Sequence, residues 1–251
     1  SLAFADVREA PTMADALSDV DADSLVIFDL DNTVMMPPQS LGGEEWYDYF
    51  VEKRTKEQVA AGIPPAKAKE NSIDQGLKEW NQFHRNAKVI PVEADTPALI
   101  KALQDKGTKS MALTARPTDL ADATIGQLKS IGISFIGHSL SDKTINVSGK
   151  NASLFKNGAL LVGPKNNKGE IIVKFLKQSG AKPKKIFFVD NKMHHVHNVE
   201  KALAPTGIAY FGRRHGAADK KIEAMDKEVV EIQHRYFFGE VLSNKQAEAL
   251  K

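Results

Sequence analysis

The apolar positions of this chain fall into two periods, and their order predicts its architecture. Val26, Ile27 and Phe28 form a run too continuous to alternate, as inner strands of a parallel sheet are, and it stops on Asp29-Leu30-Asp31-Asn32-Thr33. Ala14 to Ala22 reads as a short approach to that first strand. Beyond Thr33 the strand pattern gives way to helical spacing, with Trp46, Tyr49, Phe50 and Lys53 at i, i+3, i+4 and i+7. A second helix is predicted over Ala66 to Arg85, carrying Ile73, Leu77, Trp80 and Phe83. Pro37-Pro38, Gly42-Gly43 and Ile63-Pro64-Pro65 punctuate the stretch, so residues 35–90 read as a compact helical insertion, placed like a lid.

Regular alternation then resumes. Helices are predicted over Thr96 to Lys106 (stopped by Gly107), Asp119 to Ile131, Gly169 to Ser179 and Lys220 to Tyr236. Strands are predicted over Ser110 to Leu113, Ile133 to Ile136, Lys185 to Val189 and Ile208 to Phe211, and Ile145 to Val162 reads as a hairpin or irregular arm turning at Asn157-Gly158. Phe237-Phe238, with Val241 and Leu242, reads as a segment docking on the core. Strands alternating with helices call for an α/β fold, a three-layer parallel sheet with right-handed crossovers. Residues 1–34 and 91–251 would build it, with 35–90 inserted.

Composition narrows the partners. Lys and Arg number 34 against 32 Asp and Glu, too balanced to suggest nucleic acid or an anionic membrane surface. No apolar run approaches the roughly 20 residues that span a bilayer, so membrane insertion is not expected. With no cysteine, disulfides and thiol catalysis are excluded. Ala3-Phe4-Ala5 before Asp6 has the small-x-small form of a signal-peptidase site. That leans toward an exported protein, periplasmic or secreted, with a cytoplasmic one as the alternative.

The chemistry gathers at strand ends. Asp29 and Asp31 follow VIF, Thr114 follows SMAL, Asp190 follows KIFFV, and Lys168 opens a helix after Asn166-Asn167. Open α/β sheets bind ligands at the carboxyl ends of their strands. Two carboxylates two residues apart there are costly unless a cation sits between them. The segment therefore suggests a divalent metal and a nucleophilic carboxylate.

In order and residue type, FDLDNTV, LTARP, Lys168 and FFVDN resemble the four motifs of the haloacid-dehalogenase-like (HAD) superfamily of phosphohydrolases. The resemblance covers nearly the whole chain. It implies a Rossmann-like core with a cap inserted after the first motif, and a Mg²⁺-dependent phosphomonoesterase working through an aspartyl-phosphate. Asp29 would be the nucleophile, and Asp31 would protonate the leaving oxygen and later deprotonate water. Thr114, Ala115, Arg116 and Lys168 would meet the phosphorylated substrate, with Thr114 and Lys168 also in the catalytic set. Asp29, Asp31 through its carbonyl, Asp190 and Asn191 would hold the metal. An acid at Asp31 separates phosphoryl chemistry from dehalogenation, which attacks carbon and needs neither the second aspartate nor a metal. A small phosphorylated metabolite is the expected substrate, with a phosphoprotein as the alternative.

Several residues carry two readings. The superfamily's fourth motif often has a second acid, where this chain has Asn191, and His194 four residues beyond Asp190. Metal affinity would then be weaker, or another residue would complete the site. His194, His195 and His197 suit a metal-binding module, a hydrogen-bonding cluster, or the substrate mouth. Arg116 suits a substrate anion or a salt bridge equally. Trp46, Tyr47, Tyr49, Phe50, Trp80 and Phe83 fit a packing seam between two helices better than an aromatic pocket. Residues 39 to 45 are where cap groups would enter the site. A catalytically weak binding protein of the same fold is the rival to the enzyme.

Overall fold

In the computed structural model, which describes residues 4–239, the chain begins with a strand that its polar sequence conceals. β1 (Ala5–Ala10) reads ADVREA and lies parallel to β10 (Ala209–His215) at the sheet edge. The predicted approach segment, Ala14 to Ala22, holds most of helix α1 (Met13–Leu17) and the turn that leads into β2 (Ser24–Phe28). Alternation was missing because an edge strand buries little. Its polar side chains serve other ends, since Asp6 pairs with Arg213, whose side chain is fully enclosed, and Arg8 pairs with Asp19.

A two-residue strand β3 (Met35–Met36) leads into α2 (Glu44–Ala60) and α3 (Pro65–His84), and β4 (Ile90–Pro91) leads out. β3 and β4 pair antiparallel, Met35 with Pro91 and Met36 with Ile90, so the insertion leaves and returns through one ribbon. The core continues with α4 (Thr96–Asp105), β5 (Lys109–Thr114), α5 (Ala121–Ser130), β6 (Ile145–Val147), β7 (Ser153–Lys156) and β8 (Ala159–Leu161). It ends with α6 (Lys168–Ser179), β9 (Lys185–Asp190), α7 (Met193–Leu203), β10, α8 (Asp219–Glu223) and α9 (Lys227–Phe237).

The main sheet has eight strands in the order β1-β10-β9-β2-β5-β8-β7-β6, parallel from β1 through β8 and antiparallel across β8-β7-β6. Both faces are covered. Val26 and Phe28 point into one cluster with Ala112, Phe135, Phe187 and Val189, while Leu25 and Ile27 point into another with Met111, Phe175 and Phe188. The α/β, three-layer parallel architecture is as the sequence predicts.

Two of the later elements differ from expectation. Ile133 to Ile136 forms no strand; Ile133 and Phe135 are buried, so alternate residues bury themselves without a partner strand. The hairpin expected within Ile145 to Val162, turning at Asn157-Gly158, is present as β7 and β8, and β6 before it makes the arm three strands of the sheet. Lys220 to Tyr236 is not one helix but two, and the second docks on the insertion. Val230 joins Leu41, Trp46, Phe50, Trp80 and Phe83 in a third cluster, and Phe238 stacks on Trp46 at 6.1 Å between ring centroids. Phe237-Phe238 thus packs on the insertion, whereas Val241 and Leu242, like Ala3, lie outside the described residues. The aromatic stripe is a packing seam at Trp46, Phe50 and Phe83.

Candidate active site

Strand register sets the site. β2 and β9 are neighbours with Phe28 opposite Val189, and the Asp29 N–H still donates to the Val189 carbonyl at 2.9 Å. The Asp29 and Asp190 carboxylates therefore leave adjacent strands at one level. On the other side β5 pairs Ala112 with Phe28, which brings Thr114 to the same sheet edge. Asn167 caps α6 by accepting from the Gly169 and Glu170 N–H groups, and Lys168 is the helix's first residue.

Lys168 bridges the two acids. Its ammonium lies 2.5 Å from Asp29 Oδ1 and 2.7 Å from Asp190 Oδ2, with all three groups buried. Thr33 donates its hydroxyl to Asp29 Oδ2 at 2.9 Å and accepts the Asn191 N–H at 2.9 Å. Asp190 also accepts the Lys192 N–H at 2.7 Å, and His195 Nδ1 sits 3.1 Å from its Oδ2. Burial, and after it the Asp190 carboxylate, pushes the Asp29 carboxyl above its ordinary range. Asp190 goes the other way, because Lys168 and His195 outweigh its burial.

Gly169 shows how tightly Lys168 is set. A Cβ there would meet the Asn198 carbonyl oxygen at 2.3 Å and the Ala202 Cβ at 2.8 Å, both on α7. Gly169→Ala is expected to overpack this contact by about 1–3 kcal/mol and lower the melting temperature by roughly 3–10 °C. A thermal melt within 1 °C of the parent would contradict that packing.

Asp31 has a different partner. Arg116 forks onto it, Nε to Oδ2 at 2.8 Å and Nη2 to Oδ1 at 2.7 Å, and the guanidinium is 2% exposed. Its remaining donors reach Gln127 Oε1 at 2.6 Å, Thr124 Oγ1 at 3.1 Å and His84 Nδ1 at 3.2 Å. His84 passes the contact on through Nε2 to the Gly42 carbonyl at 2.8 Å. Burial and then Arg116 push the His84 pKa down to about 4, so the ring is neutral and accepts at Nδ1. Burial opposes ionisation of Asp31, but Arg116 outweighs it and holds this carboxyl below the usual range. Of the two readings of Arg116, the structure displays the salt bridge.

A cavity of ≈ 200 Å³ opens over these groups between core and insertion, with Asp31, Glu44, Tyr47, Trp80, Ala115 and His195 among its lining. Tyr47 and Trp80 meet edge to face, 6.0 Å apart, and form an aromatic corner of that wall. The backbone N–H groups of Leu30, Asp31 and Ala115 take no partner among the described residues, so they remain available to an anion. Asn32, at φ 58°, supplies the left-handed turn that folds the chain back after Asp31.

Glu44, Lys192 and His84 were not singled out by sequence reasoning. Glu44 falls within the stretch 39–45 from which cap groups were expected. It accepts from Asn191 Nδ2 at 3.0 Å and pairs with Lys192 at 3.0 Å. Burial, and then the Asp29 and Asp31 charges, push its carboxyl upward. In the histidine cluster, His195 turns to Asp190 and His197 to Glu200.

The donor set suits a hard cation. Among the described residues no group of three or more His, Cys, Asp or Glu side chains converges as a metal cage. Asp29 and Asp190 supply two carboxylates, Asn191 an amide oxygen, and the Asp31 carbonyl accepts no hydrogen bond among the described residues. An oxygen-only set of this size fits a small divalent ion that keeps several of its own waters. The crowding that raises Asp29 is the kind of excess negative charge such an ion relieves.

Comparison with known proteins places the chain. A Chlamydia pneumoniae protein named "Putative outer membrane protein" is 26% identical over 253 residues, covering 100% of this chain and 90% of its own length. A Chlamydia trachomatis protein of the same name is 23% identical over 242 residues, covering 95% and 87%. Among solved structures, a HAD family enzyme from Bacteroides thetaiotaomicron aligns over 75% of this chain and 92% of its own, at 14% identity and a TM-score of 0.38. The family described as "Protein of unknown function (DUF2608)" matches residues 5–248, and the chain belongs to that family.

Proposed function

We propose that this protein is a Mg²⁺-dependent phosphomonoesterase of the haloacid-dehalogenase type, acting through a phosphorylated Asp29. The observation that carries the reading is the Lys168 bridge between Asp29 and Asp190, with Asp31 two residues along and, beside them, backbone N–H groups that take no partner among the described residues. These groups come from four separate chain segments to one strand edge, and Asp31 and Ala115 line a cavity of ≈ 200 Å³ that suits a small leaving group.

Asp29 attacks the phosphoryl group, forming the Asp29–phosphorus bond as the bond to the leaving oxygen breaks. Thr33 and Lys168 hold its carboxylate in place. Asp31 in its protonated form gives its proton to the leaving oxygen, and in the second half the resulting carboxylate takes a proton back from the water that cleaves the acyl phosphate, a cycle that requires the Arg116 fork to release at least one Asp31 oxygen. Leu30, Asp31 and Ala115 N–H groups, with the Thr114 hydroxyl, hold phosphoryl oxygens. When bound at Asp29, Asp190, Asn191 and the Asp31 carbonyl, Mg²⁺ neutralises phosphoryl charge so that a carboxylate can approach it.

The Arg116 fork favours one rival, a binding protein of this fold that does not turn over, because it occupies both Asp31 oxygens. One experiment separates the two. A panel of aryl, sugar and amino-alcohol phosphates is incubated with Mg²⁺, and the protein is then reduced with borohydride. Hydrolysis with homoserine appearing at position 29 supports the enzyme. No hydrolysis across the panel sinks it and leaves the binding protein.

On location, no helix among the described residues is long and apolar enough to cross a membrane. The names of the chlamydial relatives support an exported protein, working outside the cytoplasm. Fractionation of the native host cell tests this, and protein confined to the cytosol would refute it.

A further inference from the structure

The fourth motif holds Asn191 where a second acid is expected, and the structure shows what stands beside it. Glu44 opens α2 on the insertion, 147 positions away in sequence, yet its Oε2 accepts from Asn191 Nδ2 at 3.0 Å. Its other oxygen lies 3.0 Å from the Lys192 ammonium. Asn191 turns its NH₂ to Glu44, so its amide oxygen faces away. Away means toward the site: Asn191 Oδ1 lies 3.5 Å from the Thr33 hydroxyl, which donates to Asp29 Oδ2 at 2.9 Å.

We propose that Glu44 and Asn191 together replace the missing acid of a divalent-cation site at Asp29 and Asp190. Asn191 turns an oxygen toward the cation and its waters, and Glu44 fixes that orientation and supplies the negative charge. The inference rests on the phosphohydrolase reading and adds a consequence to it. Because the charge comes from the insertion, tight cation binding requires the insertion to be seated on the core. The three aromatic contacts of Trp46 with Trp80, Phe83 and Phe238 hold α2, α3 and the segment after α9 together, and so set where Glu44 stands.

Groups that orient metal ligands from outside the first layer typically change affinity by 10–100-fold when lost. The test is calorimetric titration of the metal-free full chain, without substrate, using Mg²⁺ and then Mn²⁺. Glu44→Gln is expected to weaken Kd about tenfold or more. The exchange variant Glu44→Gln with Asn191→Asp returns a carboxylate and an amide to the same contact in swapped places. It is expected to recover to within about threefold of the parent. Glu44→Asp, which keeps the charge but withdraws it by one methylene, should fall between and guards against a Glu44→Gln chain that does not fold. The proposal is overturned if Glu44→Gln binds within twofold of the parent, or if the exchange variant binds no tighter than Glu44→Gln. A parent chain that takes up neither ion is a different result, and refutes the phosphohydrolase reading itself.

Discussion

Asp29→Asn is expected to lower phosphatase turnover by at least about 10⁴-fold, more than 5 kcal/mol of transition-state stabilisation, while leaving a folded protein. The size follows from what the substitution removes. An amide is no nucleophile toward phosphorus, so the two-step route closes and only positioning groups remain. The fold survives because Asn is isosteric. Its amide oxygen can still accept from Thr33 or Lys168, and the carboxylate it replaces is one that Asp190 already crowds. The measurement is single-turnover hydrolysis of the best ester in the panel, with circular dichroism confirming the fold. Residual activity above about 1% of the parent, in protein free of wild type, would mean that Asp29 is not the nucleophile.

The parts of this site that were legible in the sequence are those set by strand topology. Asp29, Thr114 and Asp190 each end a buried apolar run, and parallel neighbours with right-handed crossovers bring such ends to one edge. Lys168 was legible because it follows the turn-forming Asn166-Asn167 and opens a helix, which Asn167 caps in the structure. What stayed hidden depends on where side chains turn after the backbone is placed. The period of α2 and α3 reveals two helices and their seam, but not that Glu44 would reach Asn191 across the insertion–core boundary. Arg116 was visible as a cation near a strand end. Only Gln127, Thr124 and His84, from two different helices, fix its guanidinium on Asp31. The fold errors share one cause. Burial periodicity detects a surface that is covered, so it missed β1, which is an exposed edge, and mistook Ile133 to Ile136, where alternate residues are buried, for a strand.

Arg116→Met is expected to cost about 3–5 kcal/mol at pH 7, a fall of roughly 10 °C or more in melting temperature, because it strands a buried carboxylate. Asp31 is 8% exposed, and the fork satisfies both its oxygens. The methionine fills much of the space but also leaves His84 Nδ1 and Gln127 Oε1 without their donor. Acid should close the gap. In the parent, Arg116 holds the folded-state pKa of Asp31 below its unfolded value. Its contribution is therefore present above the unfolded value, about 4, and is lost as pH falls through the folded value. In the variant the sign reverses: burial without a partner raises the folded pKa, so Asp31 destabilises above about pH 4 and costs nothing once protonated. The difference between the two chains should thus widen as pH rises through about 4 and narrow below it. Adding Asp31→Asn to Arg116→Met should recover a large part of the loss at pH 7, and what remains measures the orphaned His84 and Gln127. Denaturant melts of the three chains at pH 3 and pH 7 decide the matter. A loss under about 1 kcal/mol at pH 7, or one undiminished at pH 3, would show that the fork does not carry the stability assigned to it here.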